Sequence, residues 1–91
     1  MYRDVPWLQP SDRYILEFMA SARTARGDPA EVTPKVIGRN TTVSRKHAGA
    51  RCRELTKRGL VERVDRGVYQ LTDLGQEFVD GELDVDDLRD L

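Results

Sequence analysis

Ser44-Arg-Lys-His-Ala-Gly-Ala-Arg-Cys-Arg-Glu-Leu55 places five basic or potentially basic side chains in twelve residues. Ala48, Cys52 and Leu55 recur within it at i, i+4 and i+7, the spacing of a buried stripe on an α-helix. At roughly 100° per residue, Lys46, Ala50, Arg53 and Lys57 share the face opposite that stripe, with Gly49 and His47 on its two flanks. Val43 is an apolar anchor just before the stretch, and Ser44 is suited to cap the first turn. The helix is expected to run to about Arg58. Gly59 then supplies the left-handed residue that closes many helices, and Lys57 and Arg58 sit in the last turn, where the helix dipole favours cations.

A cationic helix face is often only a solvated one. Solvated faces usually mix Glu with Lys for i,i+4 support, whereas this one carries Glu54 alone. The surroundings therefore decide. Upstream, Val32 restarts regular structure, Thr33 is a natural N-cap, and Pro34 suits the first helical position, where its missing N–H costs nothing. Val36 and Ile37 are expected to give this short helix its buried face, and Asn40-Thr41-Thr42 breaks it. Before it lies a polar loop, Arg23 to Glu31, containing Gly27-Asp28-Pro29. The first helix is expected from about Ser11 to Ala22, capped by Ser11 or Asp12, with Tyr14, Ile15, Phe18, Met19 and Ala22 on one broad face and Trp7 across its start.

Downstream, two short β-type runs, Leu60 to Val64 and Val68 to Leu71, flank a three-residue loop, Asp65-Arg66-Gly67, and predict a hairpin. Thr72-Asp73 caps a last helix with Leu74, Phe78 and Val79 on one side. The order is helix, short extended segment, helix, turn, helix, hairpin, helix. The fold class is mainly α with a small β-hairpin, a winged helix-turn-helix. Residues 1–80 form the winged-helix domain and residues 81–91 an acidic tail or short helix, in which Val85, Leu88 and Leu91 keep a three-residue spacing.

Ninety-one residues make one small domain that spends its apolar residues, 38% of the chain, on closing a single core. No run approaches the roughly 18 uncharged apolar residues of a membrane span, and no signal-peptide layout opens the chain, so a soluble, cytoplasmic protein without membrane partners is expected. The net charge of −1 conceals a division. Residues 35–66 hold ten lysines and arginines against three acids, a net of +7, while residues 80–91 hold six acids against one arginine, a net of −5. Segregated charge of this kind points to a basic binding face and an acidic tail.

With the neighbouring short helix and the hairpin, the cationic face reads as one that enters DNA. Gly49 and Ala50 keep the helix slim enough for a major groove about 12 Å wide. Arg or Lys near its start can reach guanine O6 and N7, while Arg53 and Lys57 suit phosphate. The expected partner is double-stranded DNA. The competing reading is a winged-helix module for protein–protein or structured-RNA assembly; the basic stretch from Arg39 to Arg58 disfavours the protein-only version and leaves structured RNA open.

Thr33-Pro-Lys-Val-Ile37, Val43-Ser44-Arg45, Arg51-Cys-Arg-Glu-Leu55, Arg58-Gly-Leu-Val61 and Arg66-Gly-Val-Tyr-Gln-Leu-Thr72 together resemble the winged-helix transcriptional regulators, more narrowly the haloarchaeal group similar to the phiH phage repressor. The resemblance covers roughly residues 8 to 80. It implies that Ser44, Arg45, Lys46, His47, Gly49 and Ala50 begin a recognition helix, and that Arg63 and Arg66 belong to the wing, with Arg66 at its tip near minor groove or phosphate. It also implies that Thr33 and Lys35 lie where the preceding helix touches backbone. Ala48 and Cys52 depart from the larger aliphatics usual at those slots, which implies a thinner core beneath the helix. A repressor acting as a homodimer is the implied function, with two recognition helices about 34 Å apart. Leu74, Phe78, Val79 and Leu83, with Val85, Leu88 and Leu91, are candidates either to complete the core or to form a dimer seam, which Trp7, Tyr14 and Phe18 could join. The many acids suit a halophilic archaeal source, where counterion release contributes little and base contacts must carry more.

Other chemistry is poorly provided for. His47 has no orienting carboxylate and nucleophile nearby in the chain, so neither catalysis nor an enzyme is expected. Cys52, the sole cysteine, is placed inward and reads as a small core residue rather than a redox switch. Asp84, Asp86 and Asp87 lack the spacing of a calcium loop. No cofactor, metal or small-molecule ligand is expected.

Overall fold

A computed structural model describes residues 6–81; the expected tail beyond Gly81, with Leu83, Val85, Leu88 and Leu91, lies outside the described residues. Four helices and a hairpin follow in the expected order: α1 (Pro10–Ser21), α2 (Pro34–Asn40), α3 (Arg45–Lys57), β1 (Val61–Asp65), β2 (Val68–Leu71) and α4 (Asp73–Val79).

α1 begins one residue earlier than expected and is capped differently. Pro10, whose ring presets a helical φ, takes the first position, and Gln9 is the extended cap residue. Asp12 is thereby the third helical residue, and its carboxylate accepts the Gln9 N–H at 2.9 Å. The buried face is also rotated from the expected one. Asp12, Ile15, Leu16 and Met19 point inward, whereas Tyr14 is 52% exposed and Phe18 only partly covered. Aliphatic side chains fill the centre, and the tyrosine stays largely in solvent.

The loop after α1 closes on itself: Thr24 N–H donates to Asp28 O at 2.8 Å and Ala30 N–H to Ala22 O at 2.9 Å. Val32 then pairs antiparallel with Tyr69, each N–H donating to the other's carbonyl at 2.8 Å, so the extended segment adds a third, one-residue strand to the wing. Thr33 caps α2 by accepting the Val36 N–H at 3.2 Å. Ile37 is fully buried, but Val36 is 39% exposed, contrary to expectation. Neighbours on a helix lie ~100° apart, and a seven-residue helix has room to press only one of these two side chains into the core.

α3 ends as its sequence requires. Gly59 adopts φ +79°, Leu60 N–H reaches back to Leu55 O and Gly59 N–H to Thr56 O, both at 3.1 Å, the paired bonds of a Schellman motif. In the hairpin, Val61 pairs with Leu71, Glu62 with Gln70 and Arg63 with Tyr69, then the register shifts so that Asp65 pairs with Val68. The turn is therefore Arg66-Gly67 alone, not three residues, and the extra residue forms a bulge in β1. Asp65 favours this by accepting the Arg66 N–H on its own Oδ1 at 2.7 Å.

α4 is capped by Thr72, whose hydroxyl accepts the Gly75 N–H at 3.0 Å and donates to Gly59 O at 2.7 Å. Ile15, Leu16, Met19, Ile37, Ala48, Cys52, Leu55, Leu60, Val61, Tyr69, Leu71 and Phe78 close one core shared by all four helices and the hairpin. Phe78 is spent within this core, and Trp7 and Leu74 pack against it, which leaves Tyr14 as the most open aromatic among the seam candidates.

Candidate nucleic-acid interface

The first turn of α3 is held at three points. Val43 is buried, Ser44 Oγ accepts the His47 N–H at 3.2 Å, and α2 crosses closely at Gly38, where a Cβ would stand 3.1 Å from Arg45 N. α2 and α3 are consequently fixed relative to one another by backbone proximity rather than by long side chains. Ala48, Cys52 and Leu55 are fully buried beneath.

Arg45, Lys46, His47, Ala50, Arg53 and Lys57 are all exposed on α3. Gly49 is only half-exposed: a Cβ there would lie 3.8 Å from Pro34 Cγ, so the residue faces the α2–α3 junction at the rim of the cationic surface. Lys35 is exposed on the first turn of α2, and the half-buried Thr33 uses its hydroxyl as the cap. Arg66 is exposed at the hairpin turn.

Three of these cations converge. Arg53 and Lys57 on α3 and Arg63 on β1 line, with Thr56 and Tyr69, an open cleft of about 260 Å³ between helix and wing. Lys57 lies only loosely against Glu54, at 4.0 Å with its side chain 77% exposed, so it retains nearly all its charge toward solvent. Glu54 is closer to Arg58, at 3.3 Å. Arg63 Nε donates to Asp65 O at 3.4 Å, across the bulge in β1 and next to the hairpin turn.

Sequence reasoning missed Arg51 and Arg58 as a separate group. Arg51 forms a bidentate pair with Asp12, Nε to Oδ1 at 2.8 Å and Nη2 to Oδ2 at 2.9 Å, and Nη2 also donates to Trp7 O at 3.3 Å. Asp12 is completely buried. The hydrogen bond to Asp12 raises the Arg51 pKa above its ordinary value against the opposing effect of burial. The Arg58 guanidinium lies over the Trp7 ring, 5.0 Å from its centroid. His47 likewise turns sideways, its Nε2 sharing a 2.9 Å hydrogen bond with Ser11 Oγ. The signal was present: Asp12 is an acid within the aliphatic stripe of α1, and buried acids are almost always paired. Cys52, by contrast, sits where the sequence put it, and burial pushes its thiol up to about 12, which suppresses the thiolate that redox chemistry needs.

Comparisons with known proteins agree with this architecture. The solved PhiH1 repressor-like protein from Haloarcula marismortui superimposes with a TM-score of 0.74 over 93% of this chain and 91% of its own, at 23% identity, which establishes the shared fold. The "Repressor protein" of Halobacterium phage phiH is 38% identical over 92 residues, covering 98% of both chains. A family profile described as winged helix-turn-helix phage repressor matches residues 1–90. The chain belongs to the winged helix-turn-helix phage repressor family.

Proposed function

We propose that this protein is a sequence-specific, double-stranded-DNA-binding repressor that lays the exposed side of α3 in the major groove, with the wing on the adjacent backbone or minor groove. The observation that carries the reading is the cationic surface of α3, exposed among the described residues and continuous with Arg63 through the cleft that Arg53 and Lys57 share. Arg45 and Lys46 at the N-terminal end are the base-reading candidates, since helix N-termini lead into the groove in this architecture. Arg53, Lys57 and Arg63 hold phosphate, Arg66 extends the wing's reach, and Lys35 meets backbone from α2. The phage relative's designation as a repressor, over nearly the whole chain, supports repression rather than activation.

The protein acts as a homodimer in this reading, each copy supplying one recognition helix to a two-fold site. Tyr14, 52% exposed on α1, is the aromatic best placed to contribute to the seam. Sedimentation across micromolar concentrations tests this; a monomer throughout refutes it.

Anisotropy titrations with a duplex from the region upstream of the protein's own gene, against random duplex of equal length and structured RNA, test the DNA reading. The upstream duplex is expected to bind most tightly, and Lys46→Ala to cost ~1–3 kcal/mol on it alone. Equal loss on random DNA would reassign Lys46 to the backbone, and a wild type that prefers neither duplex, or prefers RNA, would refute specific DNA recognition.

A further inference from the structure

Three side chains, His47 and Arg51 of α3 and Arg58 at its C-terminal cap, reach to one side of the helix toward the short segment Trp7–Asp12, with Arg51 and Arg58 half-buried and His47 still exposed. At ~100° per residue, His47, Arg51 and Arg58 fall within about 40° of one another, along one edge of the buried stripe. His47 meets Ser11, Arg51 meets Asp12 and the Trp7 carbonyl, and Arg58 covers the Trp7 ring. A thirteen-residue helix is thus gripped near its start, its middle and its end from a single strip of chain. We infer that Asp12 and Arg51 are positioning residues: the first turn of α1 clasps α3 from the side and sets the direction in which its cationic face is presented. The inference rests on the reading that this face meets DNA.

The packing beneath α3 explains the need. Ala48 and Cys52 are small, so they form low ridges that resist axial rotation or sliding of the helix weakly. A bidentate guanidinium–carboxylate pair fixes angle as well as distance, because both groups are planar forks. Asp12 cannot pivot, since Oδ2 also accepts the Gln9 N–H at 2.9 Å. With Asp12 wholly buried and the Arg51 side chain 12% exposed, solvent does not compete for the pair. Such pairs are seldom retained for stability, since apolar replacements of similar volume often hold a fold as well. Orientation is what an apolar pair would lose.

That difference supplies the test. The double variant Asp12→Leu/Arg51→Met exchanges the clasp for apolar contact, and Arg51→Lys keeps the charge but loses the fork, covering the case in which the double variant does not fold. Folding is followed by melting and by emission of Trp7, the sole tryptophan, which rests against Arg58. Binding is measured at fixed salt to a duplex that the wild type selects from a randomised library, and to a scrambled duplex. The folded variants are expected to lose about tenfold in the selected-to-scrambled affinity ratio, one misaligned base contact's worth, with scrambled binding unchanged. A ratio equal to wild type, or parallel loss on both duplexes, would overturn the inference. A wild type that selects no duplex would sink the DNA reading by itself. The clasp would then be judged by amide exchange over residues 45–51: faster exchange there in Arg51→Lys, with the hairpin unchanged, supports it, and unchanged exchange overturns it.

Discussion

Gly75→Ala should unseat α4, and the cost follows from a single close approach. A Cβ at residue 75 would stand 2.1 Å from Leu60 O, 2.7 Å from Leu71 Cδ1 and 3.1 Å from Leu60 C. A relaxed carbon–oxygen contact is about 3.3 Å, so the first turn of α4 must retreat by roughly 1 Å. Leu60 cannot yield instead, because it follows the α3 cap directly and its carbonyl accepts the Thr72 N–H at 3.2 Å, while Gly59 O accepts the Thr72 hydroxyl at 2.7 Å. Those two hydrogen bonds contribute about 1 kcal/mol each, and overpacking adds about 1–3 kcal/mol. Alanine's helix preference offsets about 1 kcal/mol. The net loss is about 2–4 kcal/mol, a fall in Tm of roughly 10–25 °C for a domain of this size. Gly49→Ala is the matched control. Its Cβ would meet Arg53 Nη1 at 3.7 Å and Pro34 at 3.8 Å, ordinary contact distances, so stability should rise by up to about 1 kcal/mol. Calorimetry on the two variants decides. A Gly75→Ala protein melting at or above the wild-type temperature would refute the close approach of α4 to the α3–β1 junction.

Two further outcomes follow from charge. If Arg53 and Arg63 each neutralise one phosphate, Arg53→Gln/Arg63→Gln should flatten the slope of log affinity against log salt by about 1.8, with the ranking of duplexes retained; an unchanged slope would place phosphate elsewhere. Cys52 makes a distinct contribution at high pH. Its folded pKa is raised from 9.0 to about 12, so the folded chain holds a proton that the unfolded chain releases across that window. This stability is fully present below pH 9 and is lost as pH rises toward 12, at up to about 1.4 kcal/mol per pH unit. Wild type should therefore lose more stability than Cys52→Ala between those limits in denaturant titrations, and parallel curves would contradict the burial of the thiol.

The fold was largely legible because local signals agreed with one another. Thr33-Pro34, Ser44 and Thr72 cap the helices they were expected to cap, and Gly59 ends α3 in the left-handed conformation. What escaped was information carried between elements. The face of α1 was misjudged because Tyr14 and Phe18 score as apolar whether or not they reach the core, while Asp12 scores as polar although it is buried. Arg51 entered the tally of basic residues as one more free cation because a charge count cannot know that its partner lies 39 positions away. The hairpin turn was one residue too long, since a bulge in β1 absorbs a residue without altering the sequence pattern. In the candidate interface, Lys46, Ala50, Arg53 and Lys57 are exposed together as their spacing required, whereas Gly49 and His47, on the flanks, are drawn toward α2 and α1.

The proposed contact between α3 and base edges can be tested chemically. Replacing guanines of the preferred duplex one at a time with 7-deazaguanine deletes a single major-groove acceptor and leaves pairing and phosphates intact. With wild type, at least one position should weaken binding by about 1–3 kcal/mol, and that penalty should vanish in Arg45→Ala or Lys46→Ala. Wild-type affinity indifferent to every such replacement, on a duplex bound in preference to its scrambled counterpart, would contradict insertion of this cationic face into the major groove.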